Sequence, residues 1–150
     1  MKNTIVVLLV IVAMASCKPK EKLPFGRNPG IEDRHWVLKE MEGKPISFTV
    51  TQKEVSIEFE NDNNFTLEAG CNTVNGMYTS QDNLIFIHQM MSTKMACPEL
   101  DRETSILNLL QKTNHYKLKQ SKVNGIVQEQ LMLMGGDTLL LKFEKGVKQE

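Results

Sequence analysis

The sequence predicts a mainly β fold of the α+β class: about eight short antiparallel strands, forming a barrel or a sandwich, with one amphipathic helix packed across them. Three observations lead there. Apolar and polar residues alternate from Glu54 to Glu60, with Val55, Ile57 and Phe59 on one face, and the alternation resumes at Phe65, Leu67 and Ala69. Period two marks a half-buried strand. Short runs of this kind recur between turn residues, whereas Pro98 to Lys112 carries its leucines at helical spacing. The 150 residues suit one domain, and 18 basic against 18 acidic side chains leave no overall field to attract nucleic acid. A 41% hydrophobic and 24% charged composition excludes both a disordered tail and a polytopic membrane protein.

The N-terminal segment reads as an address. Lys2 precedes eleven uninterrupted apolar residues, Ile5 to Ala15. As a helix they would reach about 16 Å, too short for a bilayer core of roughly 30 Å and suited to a signal peptide. Met14-Ala15-Ser16-Cys17 resembles the lipobox of bacterial lipoproteins, in which the cysteine takes a diacylglycerol on sulfur and becomes the new N-terminus. Met14 stands where Leu, Val or Ile is usual. The alternatives are an uncleaved anchor and ordinary cleavage after Ala15. From Cys17 to Asp33 the chain is rich in Pro, Gly and charge, with no apolar period, so it reads as an exposed tether. The resulting division is 1–16 signal peptide, 17–33 tether, 34–145 folded domain and 146–150 tail. Lys18 gives no retention signal for the inner membrane, so the outer membrane is preferred.

Cleavage before Cys17 leaves two cysteines, Cys71 and Cys97. In an oxidising envelope compartment one intramolecular disulfide is the default, worth about 3–4 kcal/mol in the chain-entropy model. Two reduced, buried thiols are the alternative.

Along the body, strands are expected at Trp36–Met41, Val55–Phe59, Phe65–Ala69, Gly76–Thr79, Leu84–Ile87, Tyr116–Lys119, Gln130–Met134 and Thr138–Phe143. Asn61-Asp62-Asn63-Asn64 turns the first hairpin, and Gly135-Gly136 supplies the positive φ that a tight turn requires in the last. In the helix, Leu100, Leu107 and Leu110 share a face that Ile106 and Leu109 widen. Pro98 suits the first turn, and Glu99 and Asp101 complement the dipole. Val123 to Gln128 reads as a loop around Asn124-Gly125.

Catalytic constellations do not emerge. His35, His88 and His115 accompany no G-x-S-x-G elbow, and there is no H-E-x-x-H, phosphate loop or calcium loop. Glu99 and Glu103 lie one helical turn apart, a spacing compatible with acid/base work but far commoner for exposed acids on a helix face. His88, Met90, Met91, Met95 and Cys97, with Cys71, form a soft donor set that would suit copper(I). The competing reading has the methionines filling core gaps and the cysteines paired. A non-enzymatic protein without cofactor or resident metal is expected.

Several of these blocks fall in a familiar order. Trp36-Val37-Leu38 and Gly43-Lys44-Pro45-Ile46 precede Gly70-Cys71-Asn72-Thr73-Val74-Asn75-Gly76-Met77-Tyr78. Then come Ser92-Thr93-Lys94-Met95-Ala96-Cys97-Pro98, Glu103 and Leu131-Met132-Leu133. The series resembles the META (HslJ-like) domain family from Trp36 to about Phe143, departing at Met77 and in a polar insertion near Val123–Glu129. That resemblance implies a barrel-like antiparallel fold with one helix, association with bacterial envelopes and stress, and no established catalytic residues. Within it, Asn72 is expected to bond backbone in its turn, and Gly70 and Gly76 to meet backbone constraints. Trp36, Thr93, Met95 and Pro98 complete the structural motif. Partners would be the membrane, through lipid on Cys17, and an envelope protein or ligand that the sequence does not name, with a monomeric domain. A small ligand held in the barrel interior is the alternative.

Overall fold

In the computed structural model, residues 30–49, 52–98 and 100–148 are described. The signal segment, Cys17, most of the tether and Glu99 lie outside them. Strands β1 (His35–Met41), β2 (Lys44–Pro45), β3 (Ser56–Phe59), β4 (Asn64–Glu68), β5 (Thr73–Gln81) and β6 (Leu84–Ser92) lead to helix α1 (Leu100–Lys112). Strands β7 (His115–Val123), β8 (Ile126–Gly135) and β9 (Thr138–Lys145) follow. All pairings between these strands are antiparallel. The order is sequential, and β1 also pairs with β9, so the sheet closes on itself as a ring.

Of the barrel or sandwich expected from the alternation, the barrel is present, with nine strands among the described residues rather than about eight. The addition is β2, which pairs only Lys44 and Pro45 with the end of β1. It is too short to carry any period. The limits of the fold also shift. Ile31 and Glu32 are buried, and Ile31 accepts the Trp36 indole N–H at 2.9 Å, so residues 31–33 belong to the domain and not to the tether. At the other end Gly146 N donates to His35 O, and Lys148 pairs with Glu58. The tail thus docks at least as far as residue 148. Burial alone would raise the Glu58 carboxyl, but hydrogen bonds from Lys148 and His35 outweigh it and hold that group below its ordinary range.

The inward residues of the ring make one core. Trp36, Phe59, Phe65, Tyr78 and Phe143 are among its largest fully buried side chains. Phe59 meets Tyr78 edge-on at 5.0 Å between centroids, a favoured aromatic geometry. The Tyr78 hydroxyl reaches Glu60 O at 2.8 Å and Glu32 at 3.1 Å. Burial first, and then the Glu32 charge, push its ionisation far above the usual phenol range. These side chains fill the interior, which counts against a ligand cavity there.

Gly76 on β5 lies under the Phe65 ring, where a Cβ would come within 2.5 Å of an aromatic carbon. Its constraint is steric, since its φ is not positive. Gly76→Ala is expected to overpack the core and lower stability by about 1–3 kcal/mol, read as an earlier midpoint in urea unfolding.

The ring has one weak seam. Strand β6 touches β7 at a single pair, Leu84 with His115. Helix α1 bridges this seam, contacting β6, β8 and β9 and burying Glu103, Ile106, Leu109 and Leu110. Its inner face is therefore rotated from the expected leucine stripe: Leu100 is exposed, and a glutamate occupies the buried side.

A second correction concerns Val123 to Gln128, expected as a loop. Strands β7 and β8 stay paired out to Val123 and Ile126, and only Asn124-Gly125 turns, both with positive φ. The distal part of this hairpin extends beyond the rung at which β8 and β9 first pair, Gln130 with Glu144. With no core to face, it carries no apolar alternation, so the period that reveals other strands is missing.

Candidate functional site

The two motif blocks named above meet at one end of the helix. Gly70, at φ +96°, lets the chain turn between β4 and β5, and Ala69 N then donates to Asn72 O. Asn72 is 2% exposed and is the hub of the site. Its Oδ1 accepts from Met95 N at 2.8 Å and from the Thr93 hydroxyl at 2.9 Å. Its Nδ2 donates to both Glu103 oxygens at 3.1–3.2 Å and lies 3.5 Å from Met95 O. Its backbone N–H also donates to Glu103 Oε2 at 3.1 Å. Thr93 Oγ1 accepts from Thr73 N, and the Ser92 hydroxyl lies 3.2 Å from Glu103 Oε1. A buried carboxylate is tolerated only where donors replace water, and here Asn72 and Ser92 supply them.

This arrangement revises two expectations. Asn72 has no left-handed backbone, and its side chain ties together three distant segments instead of stabilising its own turn. Glu103 is 5% exposed and not a solvated acid. Its place on the apolar stripe is legible, since Glu103, Ile106 and Leu110 stand at i, i+3 and i+7, but its burial depends on partners distant in sequence. Ser92 carries no such signal.

Cys71 and Cys97 flank the knot and form a disulfide, with Cα atoms 6.1 Å apart, within the usual span. The disulfide removes both thiolates from the soft donor set. Met95 contributes its backbone to Asn72, while its side chain is largely exposed. Among the described residues, no group of three or more His, Cys, Asp or Glu could hold a metal ion. Pro98 lies exposed in the turn before α1. Trp36 stands apart in the core, with Arg34 stacked over its ring at 5.9 Å.

Beside the disulfide is an open depression of about 230 Å³, lined by Lys53, Gly70, Met95 and Arg102 among others. Arg102 lies over the Phe48 ring at 5.2 Å, an attraction between cation and π face. The site can hold three chain segments rigidly together and present a basic, sulfur-edged depression to solvent. The hydroxyls of Ser92 and Thr93 are both engaged in the knot.

The family model described as "META domain" matches residues 29–147. Among curated proteins, none matches the chain. An NMR structure of a protein from Burkholderia xenovorans is 24% identical, covering 83% of this chain and 92% of that one, with a TM-score of 0.57. A second NMR structure is 19% identical, covering 75% and 90%, with a TM-score of 0.52. At these identities the likeness speaks for the fold alone.

Proposed function

The chain belongs to the META domain family, and from that premise we propose that it is a lipid-anchored module of the bacterial envelope. It binds or supports another envelope component, in a stress-related role, without catalysing a reaction. The observation that carries this reading is the use of the motif's polar groups. Asn72, Thr93, Ser92 and Glu103 bond one another and clamp the helix to the ring, so the motif works as a brace for a recognition surface. The signal-like run ending at Cys17 supports lipid anchoring, with the outer membrane preferred and the domain in the periplasm or at the cell surface. No helix among the described residues is long and apolar enough to cross a membrane.

Mass spectrometry of protein purified from native membranes tests the anchor. The expected species begins at Cys17 and carries a diacylglycerol, and a Cys17→Ala control loses the membrane-associated partner in a pull-down. An unacylated residue 17 would overturn the anchoring, and turnover of a cell-wall or peptide substrate would overturn the non-enzymatic reading.

A further inference from the structure

The tip of the β7–β8 hairpin carries two adjacent exposed apolar residues. Ile126 is 68% and Val127 59% exposed. Single exposed apolar residues are ordinary, but these two line a groove of about 510 Å³ together with Val147, itself 88% exposed. From Lys117 to Gln128 the hairpin carries three lysines, Lys117, Lys119 and Lys122, and no acid. In the register, Lys122 pairs with Val127, and Lys119 lies further back on the Ile126 face. Each apolar tip residue therefore has a cation on its own face of the ribbon. Glu129, at the base, is neutralised by Arg34 and Lys145, each at 3.0 Å.

The position of the tip matters as much as its composition. Trp36 pairs with Lys145 on β9, and Glu144 pairs with Gln130 on β8. The antiparallel ring thus sends the chain N-terminal to β1 toward the same end as the hairpin, and the Arg34–Glu129 ion pair joins the two. The tether from Lys18 to Pro29 would reach at most about 40 Å. A domain anchored at Cys17 can therefore bring this tip to the lipid.

We propose that the β7–β8 hairpin is a second membrane contact: Ile126 and Val127 enter the interface of an anionic bilayer, while Lys117, Lys119 and Lys122 bind headgroup phosphates. The orientation rests on the anchored reading, whereas the affinity of the tip does not. Each lysine near an anionic surface is worth about 1 kcal/mol, and the apolar tip adds its own transfer free energy.

The test uses the processed chain from residue 17, carrying Cys17→Ser, which keeps every described element. It is mixed with vesicles of phosphatidylethanolamine and phosphatidylglycerol, or of phosphatidylcholine alone. Binding is expected on the anionic vesicles, weakening as salt is raised, with little on the zwitterionic ones. Replacing Lys117, Lys119 and Lys122 by Gln should lower partitioning on the order of a hundredfold, and Ile126→Asp with Val127→Asp by more than tenfold. The native Trp36 is the only tryptophan and is fully buried. A second tryptophan introduced as Ile126→Trp should therefore shift its emission to the blue on anionic vesicles alone.

Absence of binding, binding unaffected by these variants, or equal binding to both vesicle types overturns the proposal. So does a hairpin that instead mediates self-association, seen as a dimer that Ile126→Asp dissolves. An unacylated chain whose tip still binds would fail the anchoring reading alone, and an acylated chain with an inert tip would fail this inference alone.

Discussion

Asn72→Ala is expected to lower stability by roughly 3–5 kcal/mol, close to what leaving a buried charge uncompensated costs. The substitution removes the donor facing Glu103 and the acceptor used by Met95 N–H and the Thr93 hydroxyl. Glu103, 5% exposed, then loses its Asn72 side-chain donor with little water to replace it, whereas Thr93 and Met95 are exposed and can turn to solvent. Thermal unfolding should move down by roughly 10–20 °C. The near-isosteric Asn72→Asp separates hydrogen bonding from volume. It keeps the acceptor for Met95 and Thr93 but sets a second carboxylate against Glu103, and two carboxylates sharing a site raise one of their ionisations. The sign follows from linkage: a carboxyl raised in the folded state favours folding while protonated. That contribution to stability is then fully present below about pH 4, the unfolded aspartate value, and is lost as pH rises through the raised one. Denaturant midpoints for both variants across pH 3–8 check this. An Asn72→Ala midpoint within error of the parent would remove the knot as the brace of the fold.

Removing the disulfide should have the second largest effect. Cys71 and Cys97 are 26 residues apart in sequence, and closing a loop of that size restricts the unfolded chain by about 3–4 kcal/mol. Paired Cys71→Ser and Cys97→Ser substitutions should therefore destabilise by a similar amount, and reduction of the parent should do the same. The two perturbations overlap in space because Asn72 adjoins Cys71 and Met95 lies close before Cys97. Combining Asn72→Ala with loss of the disulfide is thus expected to depart from simple addition, as contacts sharing one segment usually do. Denaturant unfolding of the single and combined variants measures that coupling.

Legibility in the sequence followed the core. Val55, Ile57 and Phe59, and then Phe65 and Leu67, alternate because one face of each strand meets the interior and the other meets water. The same logic places the helix but not its buried face. The leucines drew the stripe toward Leu100, whereas a polar residue, Glu103, sits inside it. Hydropathy counts a glutamate as outward, and only knowledge of Asn72 and Ser92, which are distant in sequence, makes its burial possible. The hairpin tip escaped for the opposite reason, since lysine and glutamine neighbours with no core beneath them leave no period to read. Residues 31–33 read as tether because Pro and Gly precede them, although Ile31 is fully buried in the core.

By itself the sequence determined what local chemistry can encode: the alternation of strands, the site of helix α1, the glycines at tight turns and the cysteine pair available for oxidation. Tertiary structure alone decided the closing of β1 on β9, the seam that α1 covers, the burial of Glu103 and the hairpin projecting at the end where β1 begins. Each of these rests on contacts between residues far apart in the chain. Their free energy comes from water excluded on assembly and hydrogen bonds exchanged between segments, and neither leaves a trace in the spacing of neighbouring residues.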